Sequence, residues 1–163
     1  MEKLTLLPYS LPGKIYRSPM PFSRMYDPEH EVFTLYRQAG VSHAVILPPQ
    51  EELMRQTGFN LMPYYYNNGI DIIACPVMDF FIPADGSFEK TIQQVIKLAR
   101  SGETIAIHCH AGIGRTGMFA ACLTRELWGW TADDAIAWVR QFIPEAVETE
   151  FQVHFVQQYK GIL

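Results

Sequence analysis

The residues best suited to chemistry lie in one segment, where five residues separate the thiol of Cys109 from the guanidinium of Arg115. An apolar run typical of a buried strand precedes the segment, and a helical pattern follows it. Backbone N–H groups in such a loop, together with the helix N-terminus, form a cradle for a tetrahedral anion. Gly112 and Gly114 permit the backbone angles that the loop requires. The sequence therefore predicts an oxyanion site between Cys109 and Arg115.

The two side chains suit attack on a phosphoryl group. A free thiol has a pKa of about 8.5, whereas thiols at helix N-termini ionise at roughly 3.5 to 7.5. Arginine can grip two phosphoryl oxygens at once, which lysine cannot do in the same bidentate way. We therefore expect Cys109 to be a thiolate nucleophile and Arg115 to hold the electrophile, with the backbone amides of residues 110–115 around it.

Two simpler interpretations account for less of this segment. Free cysteines are usually buried, but a core cysteine in a tight turn explains neither the arginine nor the glycines. A zinc site formed by His108, Cys109 and His110 is disfavoured, because three successive side chains point in different directions and cannot meet one tetrahedral ion. We expect no metal and no cofactor.

The elements that must position this loop follow from apolar runs that alternate with helical patterns, which indicates an α/β fold. Further helices are predicted from a cap at Thr131 to Pro144, and from a cap at Thr149 onward. The other predicted strands and helices cover 14–17, 43–47, 70–75, 87–100, 104–108 and 116–127. We expect residues 1–163 to form one domain with a central, mostly parallel sheet of about four to five strands flanked by helices.

Composition limits the class of protein. The chain has 163 residues, and 13 Lys and Arg against 17 Asp and Glu give a net charge of −4, which disfavours nucleic acid and anionic membranes as partners. Three cysteines are too few for a secreted disulfide framework. The apolar stretch at the N-terminus is too short for a signal peptide, and no run approaches the roughly 18 apolar residues of a membrane span. We therefore expect a cytoplasmic domain.

The pattern of His108-Cys109, five residues, Arg115 and Thr116 resembles the signature loop of cysteine-dependent protein tyrosine phosphatases. The flanking segments 14–18 and 146–149 are similar to the compact dual-specificity branch, which includes small prokaryotic and archaeal members. The resemblance implies a tyrosine-phosphatase-like fold and a phosphocysteine intermediate, with His108 packed below the loop to orient the surroundings of the thiolate. It also implies that the phosphoryl group is bound by His110, Ala111, Gly112, Ile113, Gly114 and Arg115.

The reaction also needs an acid, because an alkoxide or phenoxide is a poor leaving group unless it is protonated. In the resembled family this acid is an aspartate on a mobile loop upstream of the cysteine. The matching residue is Asp79, 30 positions before Cys109, and Asp85 at 24 positions is the alternative. Met78 and Phe80 flank Asp79 where family members commonly have Pro before the aspartate and often Gly after it.

Thr116, Gln152 and the two remaining cysteines each have two interpretations. The Thr116 hydroxyl could donate to the sulfur as the phosphocysteine breaks down, or it could satisfy a local backbone group. Gln152 aligns with a family glutamine that helps to position the hydrolytic water, but it also completes a capping box with Thr149. Cys75 or Cys122 could resolve an oxidised Cys109 as a disulfide, or both could be packed core thiols.

The loop composition bears on the substrate. Phosphoinositide phosphatases of the superfamily tend to place extra basic residues in the loop, whereas here only His110 is titratable between Cys109 and Arg115, and Ile113 is apolar. The acidic pI of about 5.7 agrees. We expect a phosphorylated protein or peptide substrate, carrying phosphotyrosine with or without phosphoserine and phosphothreonine, with phosphate as product and inhibitor. The alternatives are a phosphoinositide or inositol-polyphosphate phosphatase and a phosphopeptide-binding pseudophosphatase.

Overall fold

The computed structural model describes residues 1–161 and centres on a five-stranded sheet, with β1 at Thr5–Leu7, β2 at Lys14–Ser18, β3 at His43–Ile46, β4 at Asp71–Ala74 and β5 at Thr104–His108. The strand order is β1-β2-β5-β3-β4. The pairs β2·β5, β5·β3 and β3·β4 are parallel, and only β1 pairs antiparallel, with β2. The predicted α/β fold with a mostly parallel sheet is confirmed.

Seven helices of the described residues cover the sheet: α1 Val32–Ala39, α2 Gln50–Thr57, α3 Met62–Asn67, α4 Ser87–Arg100, α5 Gly114–Trp128, α6 Ala132–Arg140 and α7 Glu150–Gln158. The prediction of α4 is confirmed to the residue. The cap at Thr131 is also confirmed, since its side chain accepts the N–H of Asp134. The predicted end of α6 at Pro144 is wrong, because the helical backbone stops at Arg140, well before the proline.

Two hydrophobic clusters cover opposite faces of the sheet. One contains Ile105 and Ile107 of β5 and the apolar sides of α4, α5 and α6, and the other contains Ala106 of β5 and the apolar sides of α1 and α3. Successive residues of a strand point to opposite faces, so the central strand contributes to both clusters. A strand buried on both sides is expected to be continuously apolar, and Ile105, Ala106 and Ile107 have that pattern.

The parallel pairing of β2, β5 and β3 brings the C-terminal ends of these three strands together. The C-terminal ends of β2, β3 and β5 meet at the same edge of the sheet, and the segment after β5 leads directly into α5. Open α/β sheets bind their ligands at this edge. None of the helices within residues 1–161 is long and apolar enough to cross a membrane. Ile162 and Leu163, the last residues of the predicted domain, lie outside the described residues.

Candidate active site

The site is built on residues 109–115, which connect β5 to α5 and include the start of that helix, and which are called the 109–115 loop below. Gly112 has a φ of 78°, in the left-handed region, and a Cβ there would clash with the carbonyl of Ser18. That backbone turn directs the N–H of Gly112 to the Sγ of Cys109, at 3.2 Å. The predicted turn of the loop around the sulfur is therefore present, and it requires the glycine.

Cys109 lies at a cavity of about 70 Å³ beside this loop. Cys109 is 3% exposed and is among the residues that line this cavity. The cavity brings together several of the predicted residues and adds two aromatic side chains and a carboxylate. It is lined by Tyr26, Asp79, Phe80, Cys109, His110, Ala111, Gly114, Arg115 and Glu148.

The two candidate acids occupy different places. Asp79 lines the cavity, and its carboxylate lies 3.2 Å from the Nη2 of Arg115, with the side chain about half exposed. Asp85 is exposed on the segment before α4 and does not line the cavity. An acid must reach the leaving oxygen of a substrate bound at Cys109. The geometry therefore favours Asp79 for that role.

The guanidinium of Arg115 is buried and held from several sides. Its Nη1 and Nη2 donate to the two carboxylate oxygens of Glu52, each at 2.8 Å, and Nη1 also donates to the carbonyl of Val77 at 2.9 Å. Burial lowers the pKa of Arg115, but the hydrogen bond to Glu52 and the nearby charges raise it overall. The Nε–H is also buried and has no partner within residues 1–161. Arg115 is thus fixed with one donor still free.

Glu52 was not singled out from the sequence, although it fixes the orientation of Arg115. It lies on α2, is 6% exposed and is 63 positions away from Arg115 along the chain. A bidentate pair of this kind holds the planar guanidinium in one orientation. Nothing in the local sequence of α2 distinguishes this carboxylate from that of its exposed neighbour Glu51, so only the tertiary contact identifies it.

His108 lies beneath the loop, where the resemblance places it. Its Nδ1 is 2.9 Å from the carbonyl oxygen of Cys109, and its Nε2 is 2.6 Å from the hydroxyl of Tyr65. A carbonyl can only accept, so Nδ1 carries the proton and Nε2 accepts from Tyr65. Burial lowers the pKa of His108 to about 4. The imidazole is therefore neutral near pH 7 and anchors the backbone of Cys109.

This buried neutral histidine makes stability depend on pH. Between pH 6.5 and pH 4 the unfolded chain binds a proton at His108 that the folded chain excludes, so the free energy of unfolding falls as the pH is lowered. The contribution is about 3 kcal/mol across that window. Urea unfolding of the wild type and of His108→Asn at several pH values should show a steeper loss in the wild type. Parallel pH profiles for the two proteins would contradict this account of His108.

His110 also lies at the cavity as a neutral group. Its Nε2 is 3.0 Å from the Oγ of Ser23, and that Oγ accepts the backbone N–H groups of Met25 and Tyr26. The hydroxyl proton of Ser23 is thus left to donate to Nε2. Burial lowers the pKa of His110. His110 therefore adds no fixed positive charge to the site at neutral pH.

The remaining residues of the 109–115 loop contribute through side-chain packing or through their backbone position. Ile113 is half-buried against the cluster formed by α4, α5 and α6. Gly114 begins α5, where a Cβ would press on the carboxylate of Glu148. Arg115 and Thr116 then occupy the first turn of that helix. The helix N-terminus consequently opens toward the cavity, as an anion site requires.

The structure separates the two interpretations of Thr116 and of Gln152. The Oγ1 of Thr116 is buried and has no hydrogen-bond partner in the described part of the chain, so it does not satisfy a local backbone group. The Oε1 of Gln152 accepts the N–H groups of Glu148 and Thr149 in a complete capping box. The capping prediction for Gln152 is confirmed, and its part in positioning water stays a prediction.

The other two thiols fit the interpretation as core residues. Cys75 and Cys122 are buried and free, and burial raises the pKa of both. The Sγ of Cys75 lies 3.8 Å from the carbonyl of Ser87. Over residues 1–161 no group of three or more His, Cys, Asp or Glu side chains is arranged to hold a metal ion.

The sequence matches one protein family and curated relatives. The profile of the family described as "Polymorphic toxin system, DSP-PTPase phosphatase" matches residues 19–127. Protein tyrosine phosphatase domain-containing protein 1 of Bos taurus is 29% identical over 119 residues, which cover 68% of this chain and 14% of that protein. The chain thus spans about a seventh of the length of that curated relative.

Solved structures share the fold. A kinase associated phosphatase with its catalytic-site cysteine replaced by serine superimposes with a TM-score of 0.88 at 19% identity, over 96% of this chain and 92% of that one. The core catalytic domain of the PP-IP phosphatase SIW14 from S. cerevisiae has a TM-score of 0.62 at 21% identity, over 90% and 80% of the two chains. At these identities the likeness concerns the fold, so it does not distinguish between substrates.

Proposed function

We propose that this chain, which belongs to the DSP-PTPase family of cysteine-dependent protein tyrosine phosphatases, hydrolyses phosphotyrosine in proteins or peptides, with or without phosphoserine and phosphothreonine. One observation carries the proposal. The buried Nε–H of Arg115 has no partner within residues 1–161, although it belongs to a side chain that lines the same cavity as Cys109. Buried polar groups are nearly always hydrogen-bonded, so an unused donor beside a nucleophile indicates a ligand that accepts it.

The first step is transfer of the phosphoryl group to sulfur. The thiolate of Cys109 attacks phosphorus, the S–P bond forms, and the bond from phosphorus to the ester oxygen breaks. Asp79 gives its proton to that oxygen as it leaves. Arg115 and the backbone N–H groups of residues 110–115 stabilise the charge on the equatorial oxygens, which is usually the largest contribution to such a reaction.

Asp79 must release Arg115 before it can serve the leaving group. The carboxylate of Asp79 lies 3.2 Å from the Nη2 of Arg115. A phosphoryl dianion at the cavity competes for the same guanidinium with a larger charge. Binding of substrate therefore frees the Asp79 carboxylate to take up a proton from solvent and to turn toward the ester oxygen. The exposed position of its side chain allows both.

The second step returns the enzyme to its starting state. Water attacks phosphorus, Asp79 accepts a proton from that water, and the S–P bond breaks to release phosphate and the thiolate of Cys109. The hydroxyl of Thr116 is buried and has no partner within residues 1–161. It therefore has a proton to donate to the sulfur as it leaves, and this role stays a prediction. Gln152 would have to open its capping box to orient the water, so its role in this step stays a prediction.

The walls of the cavity favour an aromatic phosphate ester over a polyanionic one. The aromatic side chains of Tyr26 and Phe80 both line it, and His110 is neutral. The charge of Arg115 is already paired with carboxylates, and Glu148 adds a further acidic side chain to the wall. The segment around Asp79 also exposes apolar side chains on the surface. A phosphotyrosine peptide meets apolar contacts here, whereas the extra phosphates of an inositol polyphosphate meet carboxylates.

The test of substrate class is a direct comparison of phosphate release. We expect kcat/KM for a phosphotyrosine peptide to exceed that for an inositol polyphosphate and for phosphoinositide vesicles by about tenfold or more. Tenfold corresponds to about 1.4 kcal/mol, which is within the cost of placing like charges against each other. A phosphothreonine peptide in the same assay measures dual specificity. A preference for the inositol substrates would support the alternative phosphatase class. Binding of the phosphopeptide with no turnover would support a pseudophosphatase.

We further infer that residues 1–163 act as one catalytic domain in the cytoplasm. Both hydrophobic clusters pack on the same sheet, and the cavity draws residues from the first and last parts of the chain. The three cysteines are free thiols, which a reducing compartment preserves.

A further inference from the structure

A second guanidinium lies behind the 109–115 loop. The side chain of Arg17, on β2, is 2% exposed. Its Nε donates to the carbonyl of Gly112 at 3.0 Å and its Nη2 to the carbonyl of Ala111 at 2.9 Å, while Nη1 donates to the carbonyl of Glu2 at 2.7 Å. All three acceptors are backbone carbonyls. No carboxylate among residues 1–161 forms an ion pair with this buried cation.

One of the carbonyls that Arg17 holds, that of Ala111, belongs to the peptide unit whose N–H contacts the sulfur of Cys109. The carbonyl of Ala111 and the N–H of Gly112 form one planar trans unit, so they point in opposite directions. That N–H donates to the Sγ of Cys109 at 3.2 Å. The charged hydrogen bond at the carbonyl end therefore polarises the amide that contacts the sulfur at the other end.

The packing leaves this arrangement little freedom. A Cβ at Gly112 would clash with the Nη2 of Arg17 as well as with the carbonyl of Ser18. Burial lowers the pKa of Arg17 to about 10, and the charge of Cys109 opposes that shift. A buried cation is costly unless a charge of opposite sign lies nearby. The group of opposite sign that the mechanism supplies is the thiolate.

We propose that Arg17 is a positioning residue that stabilises the thiolate of Cys109 through the peptide unit of Ala111 and Gly112. This inference deepens the proposed function and rests on it for its catalytic meaning. The titration of a thiol needs no substrate, however, so the two can fail separately. Within residues 1–161, the other charged or titratable groups around the sulfur are His108, beneath the loop, with Tyr26, Arg115, Asp79, His110 and Glu148 at the cavity and Glu52 on Arg115.

The experiment measures the rate of Cys109 alkylation by iodoacetamide as a function of pH, with the modified residue identified by peptide mass spectrometry. In Arg17→Gln we expect the titration midpoint to rise by about one unit, which is tenfold less thiolate at low pH. Arg17→Lys keeps the charge but loses the planar fork, so its shift should be smaller. Arg125→Gln is the matched control, because Arg125 also donates to backbone carbonyls, those of Trp130, Val156, Gln157 and Tyr159.

An unchanged midpoint in folded Arg17→Gln overturns the inference, and so does an equal shift in Arg125→Gln. A shift in Arg17→Gln supports it even if no phosphate ester is hydrolysed by the wild type, in which case the proposed function alone fails. Should Arg17→Gln not fold, NMR of the wild type provides the test. The chemical shifts of the Arg17 side-chain Nε–H and of the Gly112 amide should then change with pH at the same midpoint as Cys109. Shifts that do not change with the ionisation of Cys109 overturn the inference.

Discussion

Cys109→Ser is expected to abolish hydrolysis of a phosphotyrosine peptide, with kcat reduced by on the order of 10⁴-fold or more. A serine hydroxyl is not ionised near neutral pH, and no histidine in the described part of the chain is placed to take its proton, because His108 holds the carbonyl of Cys109 and His110 accepts from Ser23. The N–H groups of the loop and Arg115 are unchanged. The variant should therefore still bind the phosphopeptide, with Kd within a few-fold of the wild-type KM.

Cys75→Ser is the matched control for this substitution. The Sγ of Cys75 is buried and lies near the carbonyl of Ser87, so a hydroxyl there has an acceptor and the fold should tolerate it. We expect its kcat to stay near that of the wild type. The measurement is phosphate release by the two variants, with circular dichroism to confirm that both are folded. Substantial turnover by Cys109→Ser, or equal loss in both variants, would show that the sulfur of residue 109 is not the nucleophile.

Asp79→Asn is expected to lower kcat for a phosphotyrosine peptide by about 10²-fold to 10⁴-fold, the usual contribution of a general acid and base. The amide cannot give a proton to the leaving oxygen, although it occupies the same volume. KM should not rise, because the substitution removes a negative group from Arg115. Asp85→Asn is the matched control, since Asp85 is an exposed carboxylate away from the cavity, and its activity should be close to that of the wild type.

The leaving group gives this prediction a second measurement. Aryl phosphates whose phenols are more acidic need less protonation as they leave. The difference between the wild type and Asp79→Asn should therefore shrink along a series of such substrates. Full activity in Asp79→Asn with loss in Asp85→Asn would assign the acid to Asp85 instead. An effect of Asp79→Asn that is equal for all leaving groups would show a role in binding or folding rather than in proton transfer.

The strand, loop and helix start around Cys109 were predictable because the sequence patterns that identify them lie within a few residues of one another. The central strand β5 is a continuous apolar run, as strands buried on both faces are, and α4 has its apolar residues on one side. Cys109, Gly112 and Arg115 lie within one loop, so their spacing already implies a cradle between a strand and a helix. The predicted place of His108 beneath that loop agrees with its hydrogen bond to the carbonyl of Cys109.

The support of the loop was not predictable because it depends on contacts between distant segments. Helix α2 escaped prediction, since its sequence is mostly polar and Leu53 is its one buried large apolar side chain within the described residues. The partner of Arg115 on that helix was missed with it. Helix α3 is short and rich in tyrosine, a residue more typical of strands, and its Tyr65 holds His108 from 43 positions away. Arg17 lies in a predicted strand, but its side-chain contacts with the 109–115 loop join segments about 95 positions apart and leave no local pattern.

Gln152, in the capping box at α7, has two interpretations that the sequence alone does not distinguish. The pattern of Thr149 and Gln152 predicts a helix start, whereas the family resemblance implies that Gln152 helps to position water. The structure gives the helix start its two hydrogen bonds to the Oε1 of Gln152. For Thr116 the contacts exclude the local structural role, because its hydroxyl has no partner within residues 1–161. Only the atomic contacts separate a capping side chain from a free one.

The covalent intermediate is the most direct test of the central claim, that the sulfur of Cys109 takes the phosphoryl group. Rapid quenching of the wild type during turnover of a phosphotyrosine peptide, followed by mass spectrometry, should show one added phosphoryl group on the peptide that contains Cys109. The modified fraction should fall to zero in Cys109→Ser. A phosphoryl group on any other residue, or a burst of the leaving phenol with no modified enzyme, would contradict the account.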